Sequence, residues 1–380
     1  MSEWLSREEA LERLKVRPQT LYAYVSRGRI GMRPDRVDPR RSEYRADDIA
    51  ALATRRARGR SPSAIAESAI AWGEPSIVTA VSTVWHGQLI YRGKNAAALA
   101  DHATLEETAA LLWALSEPVR FEAPQPDAPR QFGRAPAFAQ LALLAGQGRP
   151  SLGRNGASLC ADAARAIGVL ASALGAEAGP DPVHRRLARG WAVEDGGADA
   201  IRRALVLLAD HELNASTFAA RVAASTGASP AACLLAGLAT LSGPRHGGAG
   251  EAVMQLAEDA ARHGADTAIR RWLGHDRPLP GFGHQLYPEG DPRATALLAA
   301  IGNPDDTLRS LETAAIAATG AQPNIDFALA VLTRGLGLPR DAPFHLFALG
   351  RSVGWAAHMV EQIVSGSIIR PRGRYEGLLP

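Results

Sequence analysis

His246 and His284 stand in glycine-rich runs, Gly243-Pro244-Arg245-His246-Gly247-Gly248 and Gly281-Phe282-Gly283-His284, and His211 stands in Asp210-His211-Glu212-Leu213-Asn214-Ala215-Ser216. Glycine lets backbone approach a ligand closely and adopt dihedral angles closed to other residues. Asp326, in Pro323-Asn324-Ile325-Asp326-Phe327, adds a carboxylate, and Arg293, in Asp291-Pro292-Arg293, adds a guanidinium. Metal ligation is one use for such a set, but the sequence has no His-x-x-x-His or His-Glu-x-x-His spacing. Cys160 and Cys233 are too few and too far apart for structural zinc, and are expected as buried free thiols rather than a bridge. Acid–base chemistry by imidazole and carboxylate is the better reading, with no metal and no bound cofactor.

Such groups need a scaffold. A chain of 380 residues exceeds what one hydrophobic core usually serves, so at least two packed units are expected. Apolar residues make up 46% and charged residues 21%, which excludes a disordered, collagen-like or disulfide-scaffold protein. No run approaches the roughly 18 apolar residues of a membrane span. Met1 is followed by Ser2, Glu3 and Arg7 rather than a basic start and an apolar stretch, so a cytoplasmic chain without a secretory signal is expected. Leu159, Ala163, Ile167, Leu170 and Leu174 fall at helical spacing, as do Ile201, Leu205 and Leu208. One hairpin is predicted, with Ile77, Thr79, Val81 and Thr83 alternating, a turn through residues 85–88, and a return through Leu89-Ile90-Tyr91. Residues 116–155, rich in Pro, Gly and Gln, read as irregular connections between short helices. The large unit is therefore mainly helical.

The start of the chain differs in charge. Residues 1–60 hold 15 Lys+Arg against 9 Asp+Glu, while the chain as a whole carries only +3. Ser6 and Glu9 can form a capping box for a first short helix. Residues 19–25 read as a second helix stopped at Gly28, and residues 29–45 as a wing before a helix from Ala46 to Arg56. This layout resembles the winged helix-turn-helix of MerR-like regulators and excisionases. The resemblance implies that Gln19, Thr20, Tyr22, Tyr24 and Arg27 would face DNA while basic wing residues hold phosphates. The alternative is a module that only packs or assembles. Arg55 to Ser63 suits a linker.

From about residue 75 to 380 the chain resembles the citrate synthase family. The matching blocks are Tyr91-Arg92-Gly93, the runs His211–Gly227, Gly243–Val253 and Gly281–Arg293, Pro323–Phe327, and Gly350-Arg351 with Ile369-Arg370-Pro371-Arg372. The resemblance implies an all-α fold of large and small helical domains behind the small N-terminal module. Its boundaries are residues 1–60 for the module, 61–75 for the linker and 76–380 for the enzyme, with the small domain at about 247–335. It implies a cytoplasmic homodimer that joins acetyl-coenzyme A, as co-substrate, to oxaloacetate and hydrolyses citryl-coenzyme A. Asp326 would be the base, His246 the donor to the enolate oxygen, and His284 the donor to the ketone of oxaloacetate. Arg293, Arg351 and Arg370, assisted by His211, would hold the oxaloacetate carboxylates, with Arg370 reaching in from a second subunit.

Two positions depart from the family pattern. Gln285 follows His284 where many bacterial relatives have Arg, and Gly250 stands where the pattern usually has Asn. Both put the coenzyme A end in doubt more than the oxaloacetate end. Two other readings stay open: the same chemistry on propionyl-coenzyme A giving 2-methylcitrate, and a metabolite-sensing DNA-binding protein built on the same body.

Overall fold

The computed structural model describes residues 4–16, 20–21, 24–25, 30–35, 38, 42–50, 52, 77–122, 131–274, 278–302, 305–371 and 377. The chain divides into two compact units, residues 1–77 with 370–380, and residues 78–369.

In the first unit, β1 (Trp4–Leu5), β2 (Met32–Pro34) and β3 (Ser42–Arg45) form an antiparallel sheet in the order β1-β3-β2. Helix α1 (Arg7–Leu14) starts on the expected capping box, with Ser6 Oγ accepting the Glu9 N–H and Glu9 accepting the Ser6 N–H. Leu5, Ala10, Leu14, Leu21, Ile30, Tyr44 and Ile49 form its core. Residues 20–21, 24–25, 46–50 and 52 are helical. Of the residues read as facing DNA, Thr20 and Tyr24 are partly buried. Gln19, Tyr22 and Arg27 lie outside the described residues, as does the linker.

The second unit opens with β4 (Ser82–Trp85), β5 (Gln88–Tyr91) and β6 (Lys94–Asn95). The expected hairpin is present but shifted. Its turn is only His86-Gly87, both in the left-handed region, and the first strand starts at Ser82. A two-residue turn with both φ positive matches strand twist, while the Ala80 N–H is taken by Glu361 Oε1 at 2.8 Å instead of a ladder partner. The third strand was not expected.

Helices follow: α2 (Ala96–Ala100), α3 (Leu105–Trp113), α4 (Arg134–Gln147), α5 (Gly156–Ala173), α6 (Val183–Gly190), α7 (Ala198–Leu208), α8 (Ala215–Ser225), α9 (Pro230–Leu241), α10 (Ala249–His263), α11 (Ala265–Leu273), α12 (Pro292–Ile301), α13 (Asp306–Thr319), α14 (Ile325–Gly335) and α15 (Ala342–Ser365). The chain is thus mostly helical, not all-α, because of the two small sheets. The stretch 116–155, expected to be irregular, holds the 14-residue α4. Its Pro136 lies in the first turn, where a missing N–H costs no helical hydrogen bond.

Two hydrophobic clusters fill this unit. The larger runs through α3, α5, α7, α9 and α15; the smaller gathers α10, α11, α13, Leu279 and Phe282. Helix α14 serves both, giving Ile325, Ala328 and Leu329 to the first and Phe327, Ala330 and Val331 to the second. Helix α15 crosses the end of α7 closely. A Cβ at Gly350 would lie 2.8 Å from Leu208 Cβ, and one at Gly354 would lie 2.5 Å from the Ala209 carbonyl oxygen. The Gly354 N–H donates to that oxygen at 2.9 Å.

Candidate active site

The residues between α7 and α8 are fixed from several sides. Tyr91, fully buried, accepts the Asp210 N–H at 3.2 Å and lies within hydrogen-bond reach of the Val206 and Asp210 carbonyls. Asp210 Oδ2 accepts from Ser82 Oγ at 2.5 Å and from His358 Nε2 at 3.1 Å, and His358 Nδ1 accepts from Arg221 Nε at 3.0 Å. Burial opposes ionisation of Asp210, but contacts with His358, Arg351 and Ser82 outweigh it and hold the carboxyl below its usual range. Glu212 secures the strand beside it, accepting the Val84 N–H at 2.7 Å.

His211, held by this frame, meets the loop before α12. Its Nε2 is 2.9 Å from the Tyr287 hydroxyl, and its ring stands edge-on to His284 with centroids 5.1 Å apart. Burial, then the nearby Arg293 and Arg351, holds His211 well below its ordinary pKa, and burial with Arg293 brings His284 down to about 4. Both are neutral at pH 7. His284 Nδ1 accepts the Leu286 N–H at 3.1 Å, so the ring proton sits on Nε2 and is available to a ligand.

The two buried arginines behave differently. Arg293 is clasped by Asp291, Nε to Oδ1 at 2.9 Å and Nη2 to Oδ2 at 2.8 Å. The pairing that rivals a ligand role therefore exists, and it leaves Nη1 for an anion. Burial opposes the Arg293 charge, but Asp291 overrides it and raises the pKa. Arg351 donates from Nε to the Leu208 carbonyl at 3.0 Å, at the C-terminal end of α7, and lies 4.7 Å from the Phe347 ring centre. Its Nη2 is buried with no hydrogen-bond partner among the described residues. Burial pulls its pKa down to about 10, so it stays charged at pH 7.

His246 packs edge-on against the same Phe347, with centroids 6.1 Å apart. Its Nε2 is 2.8 Å from Ser216 Oγ, which also accepts the Trp355 indole N–H at 3.1 Å and lies 2.8 Å from Asn214 Oδ1. Burial, then Arg351, brings His246 down to about 4. Asp326 sits in the first turn of α14 behind its N-cap Asn324, and burial pushes its carboxyl up to about 6. The adjacent Ile325 N–H donates to Asp291 Oδ2 at 3.0 Å, tying this turn to the Arg293 pair. A Cβ at Gly250 would lie 4.0 Å from Asp326 Oδ1 but only 2.8 Å from Pro343 Cβ. Glycine there matches a close approach of α10 to the start of α15.

His211, His284 and Arg293 are thus gathered around Tyr287, Arg351 and His246 share Phe347, and Asp326 joins through Ile325. Arg370 is exposed and belongs to the first unit. Arg372 lies outside the described residues, and Gln285 is exposed. Sequence reading missed Tyr287, Ser216 and the Asp210–His358–Arg221 chain. Ser216 lay inside a matched block, but His358 gave no local signal.

A profile of the family described as citrate synthase, C-terminal domain, matches residues 157–372, more than half of the chain. The chain belongs to the citrate synthase family. It is 38% identical over 189 residues to citrate synthase 2 of Bacillus subtilis, covering 47% of this chain and 51% of that one. It is 35% identical over 188 residues to the citrate synthase of Mycolicibacterium smegmatis, covering 47% and 50%. The chain thus spans about half the length of the curated relatives it matches. Among solved structures, the Thermoplasma acidophilum citrate synthase, in ternary complex with carboxymethyl coenzyme A and oxaloacetate, superposes with a TM-score of 0.68 at 25% identity. That match covers 80% of this chain and 94% of the other. The Thermotoga maritima citrate synthase gives 0.65 at 26% identity, covering 81% and 95%. Among the described residues no helix is long and apolar enough to cross a membrane.

Proposed function

We propose that this citrate synthase family member condenses acetyl-coenzyme A with oxaloacetate to give citrate and free coenzyme A. The supporting observation is Arg351, a fully buried guanidinium whose Nη2 has no partner among the described residues. It is coupled to Arg293 and to neutral His211. Asp210 acts on this charge without bonding to it, and a buried guanidinium whose hydrogen-bond capacity is unfilled is costly; a dicarboxylate supplies well-shaped, charge-assisted hydrogen bonds to it. His211, Arg293 and Arg351 are assigned to oxaloacetate, with Arg370 of a second copy completing the set in a homodimer. Leu143 and Leu152, exposed on and just after α4, offer such a dimer an apolar surface.

Asp326 removes a proton from the thioester methyl group. A carboxyl near 6 is a stronger base than an ordinary aspartate yet still ionised at pH 7. The enolate oxygen takes a hydrogen bond from His246 Nδ1–H, which requires Ser216 to give its single proton to Nε2 instead of Asn214. The enolate carbon then attacks the ketone carbon of oxaloacetate, and His284 Nε2–H donates to the ketone oxygen as it gains charge. Water hydrolyses the resulting citryl thioester, releasing citrate and the thiol. No cofactor is required. The smaller cluster, within about residues 247–335, is the part that closes over the substrates and excludes water.

Acetyl is favoured over propionyl, because Pro343 fills the space a side chain at 250 would take and Gly250 therefore opens no room for a longer acyl group. The enzyme is favoured over the DNA-binding sensor. The first unit is read as a winged helix-turn-helix-like module with β2 and β3 as its wing, yet Arg33 on that wing is bound to Glu43 at 2.6 Å and lies 4.3 Å from the Trp4 ring centre. Thiol release from acetyl-coenzyme A that depends on oxaloacetate tests the assignment. No release, together with salt-sensitive retention of duplex DNA, would overturn it in favour of the sensor.

A further inference from the structure

The loop before α12 carries a side chain that the acid–base steps leave without a task. Tyr287 is 2% exposed. Its N–H donates to the His284 carbonyl at 3.0 Å and its carbonyl accepts the Gly290 N–H at 3.1 Å, so the turn fixes where the ring points. The ring centre is 4.9 Å from His284, 5.6 Å from His211 and 5.5 Å from the Arg293 guanidinium. The hydroxyl lies 2.9 Å from His211 Nε2.

Proton bookkeeping at this contact has one useful solution. Burial pushes the phenol up to about 12, so it keeps its proton, while burial and the guanidinium groups keep His211 neutral. A neutral imidazole has one N–H and one lone pair. Nδ1 has no hydrogen-bond partner among the described residues, and a dicarboxylate with a ketone offers acceptors only. A ligand of that class is therefore recognised by a proton on Nδ1, and a phenol donating to Nε2 selects that tautomer.

We propose that Tyr287 is a positioning residue for the substrate site: its hydroxyl donates to His211 Nε2 and holds the imidazole proton on Nδ1, where it meets a substrate oxygen. This rests on the oxaloacetate reading above. Tyr287→Phe keeps the ring and removes only the hydroxyl, so the fold is retained, which a thermal melt checks. The full-length variant should show a KM for oxaloacetate raised about 3- to 10-fold with kcat within about two-fold, the size of one neutral hydrogen bond. Ring-nitrogen NMR of the ligand-free protein, with the His211 signal identified by its loss in His211→Gln, should show Nδ1 protonated in the wild type and a tautomer mixture in Tyr287→Phe. Unchanged His211 shifts and an unchanged KM would overturn the inference even in an active enzyme. Shifted tautomers in a protein that fails to bind oxaloacetate by calorimetry would instead overturn the substrate assignment. Tyr287→Leu, which also removes the ring, should raise KM further; a kcat loss without a KM change in either variant would contradict a positioning role.

Discussion

The two ends of the site, to which the dicarboxylate and the thioester are assigned in the proposal, are built differently. Around His211, Arg293 and Arg351 the side chains are almost fully buried and each is anchored through one part of its polar group, leaving His211 Nδ1, Arg293 Nη1 and Arg351 Nη2 without a partner among the described residues. Around His246 and Asp326 the groups are only partly buried, and the one hydroxyl beside His246 has two competing acceptors. One end holds buried, anchored donors with free positions, and the other holds a partly exposed base and a hydroxyl shared between two acceptors. The difference also locates charge: Asp291 is ion-paired with Arg293, whereas among the described residues Arg351 has no ion pair and only the more distant Asp210 carboxylate acts on it.

The comparison is broken most severely at the base. Asp326→Asn should lower kcat by about 10²- to 10⁴-fold, the range for positioned general-base catalysis, while the KM for oxaloacetate stays near wild type. A similar loss in both parameters would show the two ends to be one unit. Arg351→Leu should do the converse, weakening oxaloacetate binding by roughly 2–5 kcal/mol as one side of a buried charge pair is lost; calorimetry with unchanged affinity would remove Arg351 from the site. The wild-type enzyme should lose kcat/KM for the thioester as pH falls through about 6, since Asp326, as the proposed base, must be ionised to act and its carboxyl is raised to that value. A flat profile between pH 5 and 7 would mean that another group is the base.

Smaller effects concern stability. Gly250→Asn should cost roughly 1–3 kcal/mol by overpacking against Pro343, read as a lower denaturant midpoint. A raised carboxyl pKa means that the folded state disfavours the ionised form above pH 6. Asp326→Asn should therefore raise the melting temperature at pH 7, with the gain shrinking through pH 6 and gone below the unfolded value of 3.8. A variant that melts lower at pH 7 would show Asp326 to be held by stabilising contacts instead.

Much of this was legible because the relevant residues sit in short local runs. His246, His284, Asp326 and Arg293 are each flanked by Gly, Pro or Asn that shape their own turns, and α5 and α7 announce themselves by apolar spacing. The hairpin shifted because Glu361, far along the chain, takes an N–H that local alternation assigned to a strand. Helix α4 was hidden by its Pro136, whose position within the helix decides whether it breaks or starts one. The Asp210–His358–Arg221 chain was illegible for a related reason. It joins segments 148 and 137 residues apart, and a histidine in an apolar helix looks the same whether or not an acid waits opposite.

Gly350 and Gly354 bring α15 so near the end of α7 that neither helix can slide or roll past the other, since any residue moved into either place would bring a Cβ into backbone. Arg351, between them, is consequently fixed in azimuth by steric exclusion as well as by its hydrogen bond. An arginine mounted this rigidly cannot follow a longer or shorter ligand. In the proposed site, adaptation to a different dicarboxylate would have to come from the loop from Gly281 to Arg293, where turns rather than a helix seam set the positions. Evolution of this site therefore has one immovable side and one adjustable side.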